Sequence, residues 1–281
     1  MSNLAYVFWE QGKYSLAEPL YLKALEAQRR LLGAEHPTTL ITMSSLAVLY
    51  RNEGKRAQAE PLFTQVMQAN TRVLGPDHPE TLTSINNLAV VYWDQGKFRE
   101  AEPLYTKVLE ARRRVLGEEH PATLNSMNNL AALYRTQRRY GEAEELATKV
   151  LDVRRRVLGG EHRETLNSVS NLARLYYEQQ KYEQAEALFT DALEVRRRVL
   201  GEEHPDTLNS MNSLARLYGD RGEYEKAEPL FSKALEARRR VLGPQHPDTL
   251  ETAARLSQLY LDQGKQEQAE RLLREAGQNV R

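Results

Sequence analysis

The sequence contains no cysteine, so disulfide bonds, thiolate nucleophiles and cysteine-ligated metal sites are excluded. It also lacks any apolar run approaching the roughly 18 residues needed to cross a bilayer. An excess of one charge is absent too, because 39 Lys and Arg residues balance 39 Asp and Glu residues. This balance argues against nucleic acid and against a membrane surface as partners. We therefore expect a cytoplasmic protein.

Motifs that carry catalysis are missing as well. The chain has no P-loop, no G-x-S-x-G and no H-E-x-x-H sequence. Its many carboxylates recur at repeat positions and form no singular pair. We expect no enzymatic activity, no cofactor and no metal ion.

The sequence instead has an internal repeat of 42 residues. The six histidines are evenly spaced along the chain: His36, His78, His120, His162, His204 and His246. A Leu-Gly pair keeps the same spacing, and no Pro-, Gly- or Ser-rich linker interrupts the pattern. We expect a single domain over 1–281 with seven repeats, of which the first is incomplete. Their approximate bounds are 1–35, 36–77, 78–119, 120–161, 162–203, 204–245 and 246–281.

Each repeat contains two helical patterns. Met127, Leu130 and Tyr134 lie on one apolar face of the first, and residues 98–109 show a similar periodicity in the second. Proline follows histidine at five of six joints, where a helix favours it, and glycine precedes the joint, as at Gly117, where a left-handed helix end is expected. Neither helix can bury its apolar face alone, so stacking into an all-α solenoid is expected.

The spacing of Leu130, Ala131, Tyr134, Tyr140 and Ala143 resembles the tetratricopeptide repeat (TPR) signature. The longer unit, with AEPL, KALE, RRRVLG and HP-x-TLNSMNNLA segments, is similar to the kinesin light chain class of TPR. The resemblance covers the whole chain. It implies a right-handed TPR solenoid of helix-turn-helix repeats that binds a protein or peptide.

One departure concerns prolines past the first turn of the second helix, where the helix is expected to start late or to kink. These residues are Pro19, Pro61, Pro103 and Pro229.

Runs of three arginines end the second helix in four repeats. Three consecutive helical residues point about 100° apart, so they cannot form one grip. The last arginine of each run has an acid four residues earlier, as in Glu110–Arg114 and Glu194–Arg198. We interpret the runs as a solvated, paired stripe, with a binding patch as the alternative. The histidines, one per repeat, lie too far apart for a shared metal ion, and we interpret them as structural residues at the joints.

A second stripe on the first helix is rich in asparagine, a poor helix former. By the family resemblance, this face lines a concave groove, where asparagines hold the backbone of an extended peptide. The candidate amides are Asn3, Asn86, Asn87, Asn128, Asn129, Asn171 and Asn212. A carboxamide both donates and accepts, so it can bind a backbone without reading its sequence. The alternative is that the amides only bridge adjacent helices.

One turn further along, aromatic and basic residues alternate through five repeats. The series reads Trp9, Arg51, Trp93, Arg135 and Tyr177, and these residue types are frequent in binding hot spots. Ordinary surface variation is the alternative.

The charges along this series are uneven. We expect Arg174 and Arg216 to be neutralised by Glu178 and Asp220 in their own helices. Arg135 has no such acid and lies near two further arginines, so we expect a basic spot there that favours acidic residues in the partner.

The sequence thus favours a scaffold that binds an extended peptide or a partner protein in its groove. Other hypotheses are a regulatory or sensor arm of a larger signalling protein, a nucleic-acid-binding repeat, and self-association through the N-terminal end. Net charge weighs against the nucleic-acid hypothesis.

Overall fold

A computed structural model describes residues 1–275 and 277, and the chain folds there into fourteen α-helices without a strand. First helices of the repeats are α1 (Ser2–Glu10), α3 (Pro37–Asn52), α5 (Pro79–Asp94), α7 (Pro121–Thr136), α9 (Arg163–Glu178), α11 (Pro205–Asp220) and α13 (Pro247–Asp262). Second helices are α2 (Tyr14–Leu32), α4 (Arg56–Leu74), α6 (Phe98–Leu116), α8 (Tyr140–Leu158), α10 (Tyr182–Leu200), α12 (Tyr224–Val241) and α14 (Gln266–Glu275). The predicted all-α array of helix-turn-helix repeats is confirmed. Residues 276 and 278–281 of the last predicted repeat lie outside the described part.

The contacts group the chain into two units, Met1–Leu146 and Ala147–Arg281. In the first unit, Met43, Leu46 and Phe63 lie at the centre of a continuous apolar core. Phe189 and Met211 have the same place in the second unit. Across the described residues, no helix is both long and apolar enough to cross a membrane.

Histidine begins the first helix at each of the six joints. Its Nδ1 accepts a hydrogen bond from the backbone N–H two residues later, at 3.1 Å for His120 and 3.2 Å for the other five. This is an N-cap, which satisfies one of the amides that a helix start leaves unpaired. The structural interpretation of the histidines is confirmed.

Glycine and threonine form a hydrogen bond at five of the six joints. Gly117 has φ 87° and ψ 166°, so its φ is positive as expected, but its backbone is extended and not left-handed helical. This region is accessible essentially to glycine alone. The geometry turns the Gly117 carbonyl toward the buried Thr123 hydroxyl, which donates to it at 2.8 Å. Four other joints repeat this Thr–Gly hydrogen bond.

The prolines of the second helix do not delay its start. Helix α6 begins at Phe98, five residues before Pro103, and α2, α4 and α12 likewise continue through their prolines. The prediction of a late start was wrong. Each proline therefore removes one hydrogen bond of the helix at a position where its side chain is exposed.

A glutamate of the second helix binds a cation of the next repeat. Lys97 donates to Glu60 at 2.9 Å, and Lys55 donates to Glu18 at 2.9 Å. The Tyr50 hydroxyl also donates to Glu18, at 3.1 Å, with Lys55 lying over its ring. These links connect consecutive hairpins on the side opposite the joints.

We expect His120→Asn to change the free energy of unfolding by at most about 1 kcal/mol, because asparagine is also a favourable N-cap. His120→Ala removes the acceptor and should be the more destabilising of the two. Chemical denaturation of both variants measures the difference. An asparagine variant less stable than the alanine variant would contradict the capping role.

We expect acid to weaken the link made by Glu60. The hydrogen bond from Lys97, followed by that from Gln95, lowers the pKa of Glu60 against the opposing effect of burial. Because its folded-state pKa is lowered, the ionised Glu60 stabilises the fold at pH values above the ordinary pKa of glutamate. This stability is lost as the pH falls through the folded-state pKa. Because the pair is partly exposed, the contribution is below about 1 kcal/mol.

The free energy of unfolding should therefore decrease less for Glu60→Gln than for the wild type when the pH is lowered from roughly 5 to 3. Glu110→Gln is the control, since Glu110 is exposed and makes no ion pair among the described residues. Denaturation at several pH values provides the measurement. Equal pH dependence of both variants would show that the Glu60 link contributes nothing.

Candidate peptide-binding face

The predicted site residues lie on the first helices of the repeats, on a surface that we call the first-helix face. In the first unit they are Asn3, Trp9, Arg51, Asn86, Asn87, Trp93, Asn128, Asn129 and Arg135; in the second they are Asn171, Tyr177 and Asn212. Asn3 and Asn171 are exposed, and the other ten are half-buried. All twelve remain candidates for ligand contact, but their environments differ.

Two amides of the first unit bind each other. Asn129 Nδ2 on α7 donates to Asn86 Oδ1 on α5 at 2.8 Å. For this pair, the structure shows the helix-bridging arrangement that the sequence left as the alternative. Asn87 and Asn128 flank the pair and make no hydrogen bond to any described residue. The Asn86–Asn129 bridge therefore leaves one amide on each helix for another partner.

Bridging also occurs at Asn212 in the second unit. Its Nδ2 donates to the Thr252 hydroxyl at 2.9 Å, while its Oδ1 is buried and accepts no hydrogen bond from the described residues. Asn171 is exposed and has no hydrogen-bond partner in the part of the chain that the structure covers. The amides are thus a mixture of helix bridges and unoccupied groups.

The arginines of this face are more neutralised than the sequence indicated. Arg51 Nε lies 4.0 Å from Asp94 of the following repeat, so an acid compensates it after all. Arg139, expected to add to a basic spot, donates to Glu102 at 2.7 Å and to Glu142 at 2.5 Å. Arg135 also has an interaction partner. The prediction of an uncompensated basic spot was therefore wrong at Arg139, because it did not consider acids of other helices.

Tyr177 is part of a polar cluster in the second unit. Its hydroxyl donates to Asp220, and the Arg216 guanidinium lies 4.9 Å from its ring centroid. Burial, followed by the hydrogen bond to Asp220, raises the pKa of Tyr177 to about 12. Arg216 Nε lies 3.9 Å from Asp220, which confirms the pairing predicted for this arginine. The Arg174–Glu178 pairing stays a prediction.

The first arginine of each run is not solvated. Arg154, Arg196 and Arg238 are at most 5% exposed, and Arg112 is half-buried. Arg196 on α10 donates to Asn167 and Ser170 on α9, both at 2.9 Å, and to Ser210 on α11 at 2.6 Å. One guanidinium thus joins three helices, an arrangement that we call the arginine brace. The solvated-stripe interpretation was wrong for this arginine, since the residue continues the buried side of its helix.

The last arginine of each run is exposed and paired, as expected, but with a different acid. Arg114 binds Asp77 at 2.6 Å and Arg198 binds Glu161 at 2.7 Å, each acid lying in the preceding joint. The predicted partners Glu110 and Glu194 make neither pair. A long side chain at a helix end can reach across to the neighbouring joint as easily as back along its own helix.

Sequence reasoning missed a cavity of about 380 Å³ in the first unit, between α3 and α5. Its lining includes Trp9 and Asn87, which were predicted, and Tyr6, Ile41 and Asn70, which were not. A signal was present: Asn70 occupies the repeat position where the next four repeats have arginine.

Comparisons with known proteins agree with this fold. The model of a tetratricopeptide repeat family matches six overlapping segments: 1–69, 49–113, 85–156, 129–196, 164–237 and 217–276. No curated protein sequence matches the chain.

Solved structures of repeat proteins are similar to the chain. One, from Podosopora anserina, is described as a kinesin light chain with nearly identical TPR-like repeats. Its sequence is 30% identical to this chain, and the two structures superpose with a TM-score of 0.63 over 73% of this chain and 98% of the other chain. BtubC (BKLC) from P. vanneervenii is 23% identical with a TM-score of 0.67, covering 83% of this chain and 94% of its own. A tetratricopeptide repeat protein from Parabacteroides merdae is 19% identical with a TM-score of 0.66, covering 98% of this chain and 90% of its own.

We expect Arg196→Ala to lower the free energy of unfolding by about 2–3 kcal/mol, because hydrogen bonds to a charged group are lost and Ser210 keeps no side-chain partner. Arg198→Ala, two residues later in the same run, removes only an exposed ion pair and should cost much less than Arg196→Ala. Urea denaturation compares the two. Similar costs would contradict the brace.

Proposed function

Because the chain belongs to the tetratricopeptide repeat family, we propose that it is a non-enzymatic scaffold that binds an extended segment of a partner protein along its first-helix face. The repeats support a role in protein interaction in general. The finer proposal concerns the first unit, where the amides of α5 and α7 supply the contacts.

The observation that carries the proposal is the pair of unoccupied amides beside the Asn86–Asn129 bridge. Asn87 and Asn128 are half-buried and make no hydrogen bond to any described residue. A partly buried amide loses water without gaining a protein partner, so a ligand that pairs with it restores the lost hydrogen bonds.

An extended peptide fits this arrangement. Successive first helices are about 10 Å apart, which corresponds to roughly three residues of extended chain. An amide binds one peptide N–H and one C=O irrespective of the side chains. The Asn86–Asn129 bridge holds α5 and α7 at a fixed separation, so little ordering of the face would accompany binding.

Side chains of the partner would meet Trp93 and Arg51. Trp93 is half-buried on α5 and offers an aromatic surface. Arg51 and Asp94 are about one-third exposed, with 4.0 Å between Nε and Oδ2. A carboxylate of the partner would compete with Asp94 for Arg51, so acidic residues in the partner remain part of the proposal. The corresponding residues of the second unit, Asn171 and Tyr177, stay proposed contacts as well.

The test uses a peptide selected on the protein itself. Twelve-residue peptides from a random displayed library are selected against the wild type, and the best binder is titrated by calorimetry. Asn87→Ala/Asn128→Ala should weaken this peptide by about 1–3 kcal/mol, since each amide contributes roughly one or two ordinary hydrogen bonds.

The matched control is Gln58→Ala/Gln68→Ala, which removes two exposed amides from the second helix α4. Its affinity should equal that of the wild type. If the Asn87/Asn128 variant keeps its helical circular dichroism and its full affinity, the first-helix face is not the binding surface. A loss confined to the Gln58/Gln68 variant would place binding on the second helices.

A further inference from the structure

One position of the repeat carries an amide side chain in the first two repeats and an arginine in the next four. Following the period of 42 residues, it is occupied by Gln28, Asn70, Arg112, Arg154, Arg196 and Arg238. At Arg196, the guanidinium donates to Asn167, Ser170 and Ser210. In the second repeat this position is Asn70 and not an arginine, so the brace is missing between α3 and α5.

The cavity of the first unit lies where this brace would be. Each residue of the Arg196 brace has an equivalent three repeats earlier. Arg196 corresponds to Asn70, Asn167 to Ile41, Ser170 to Ser44 and Ser210 to Ser84. All four of these earlier residues line the cavity of about 380 Å³. Asn70 is too short to cross to α3 and donates only to α5, at 2.7 Å to Ser84 and 3.5 Å to the Glu80 carbonyl. The cavity is therefore the space that a guanidinium fills in later repeats.

The cavity differs from the brace in its acceptors: Glu80 still lines it, at the repeat position where the Glu164 carboxylate binds Arg154 at 2.9 Å, but an amide is missing. Ile41 replaces the asparagine that accepts from Arg196, so one of the acceptors of the brace is gone. A guanidinium has five donors and no acceptor, and it needs several acceptors when it leaves water. The Ser84 hydroxyl already accepts from Asn70 and donates to the Glu80 carbonyl.

The walls suit an aromatic ring. Tyr6, Trp9 and Tyr21 line one side, and the Tyr6 and Trp9 rings lie 5.5 Å apart with an interplanar angle of 35°. Aromatic rings prefer such offset and tilted neighbours. A volume of about 380 Å³ is at the small end of ligand pockets, which run from roughly 300 to 1,000 Å³.

Asn70 supplies one directional polar group. The residue is 7% exposed, and its Nδ2 is used by Ser84 and Glu80. Its Oδ1 accepts no hydrogen bond from the described residues, although the side chain lines the cavity. The amide oxygen of a buried residue that lacks a protein partner calls for a donor on the ligand.

We propose that this cavity is a binding site for a small aromatic molecule that carries one N–H or O–H donor, of the indole or phenol class. The ring packs against Tyr6, Trp9 and Tyr21, and the donor binds Asn70 Oδ1. The cavity shares Trp9 and Asn87 with the proposed peptide contacts, but the proposal rests on the cavity and on Asn70 and does not require that a peptide binds.

The first experiment compares indole with indene, which has nearly the same shape but no N–H group. Calorimetric titration of the full chain should give a dissociation constant about tenfold lower for indole, the scale of one well-formed neutral hydrogen bond. Methylguanidinium is the charged probe that lacks a ring, and it should bind more weakly than indole. No binding of indole, equal binding of indene, or preferential binding of methylguanidinium would each overturn the proposal.

The second experiment rebuilds the brace. Asn70→Arg/Ile41→Asn restores the side chains found at Arg196 and Asn167, and the new guanidinium fills the cavity. Indole affinity should fall by at least about tenfold. Gln68→Arg is the matched control, because it adds an arginine to the exposed side of the same helix and should leave indole binding unchanged.

A third variant covers the case in which the rebuilt brace does not fold. Ile41 is 64% exposed, so Ile41→Trp is tolerated and places a ring at the rim of the cavity. It should also weaken indole at least about tenfold. Undiminished indole binding in every folded cavity variant, or equal loss in the Gln68→Arg control, would show that indole binds elsewhere.

Discussion

A buried guanidinium is the interaction on which the packing of the later repeats depends, because Arg196 and Arg238 each bind the first helices of two consecutive repeats. Placing a cation where Arg196 is 5% exposed costs free energy unless its donors are satisfied, and the hydroxyls and amides of α9 and α11 satisfy them. Burial lowers the pKa of Arg196, yet an arginine remains charged because its ordinary pKa is so high. The guanidinium therefore stabilises the placement of α9 and α11 that brings their acceptors to it.

Polar contacts flank the apolar core of each hairpin on both sides. On one side are the brace, the histidine cap and the Thr–Gly hydrogen bond of the joint; on the other, glutamates such as Glu60 bind a cation of the next repeat. Each of these contacts lies within one repeat or between consecutive repeats. Stability is consequently a sum of local terms, as nearest-neighbour models of repeat proteins describe.

The fold followed from the 42-residue period, the helical spacing of apolar residues and the joint chemistry, all of which are local. The brace was also within reach of the sequence, because Arg112 follows the buried Tyr105, Val108 and Leu109 at helical spacing on one side of α6. The candidate site was less predictable. An amide donates and accepts, so sequence could not decide that Asn129 binds Asn86 while Asn128 makes no such bond. Nor could it show that Asp94 compensates Arg51, since that pairing requires the spacing between two helices.

The locality of the contacts also bears on how the length of such a chain can change. Every link joins residues at a fixed separation, for example 14 from Arg112 to Ser126 and 43 from Asn86 to Asn129. Removing or duplicating 42 residues between equivalent positions preserves the links that recur along the chain, such as the histidine cap and the arginine–hydroxyl bond, whereas any other number separates these acceptors from their donors. A change in length by whole repeats therefore keeps these recurring links, while links that occur once, such as Asn86–Asn129, are not restored by it. The segment around Ile41 and Asn70 is a further exception, because these residues line the cavity and no other repeat has the same residues at these positions. Removing this segment would also remove the cavity.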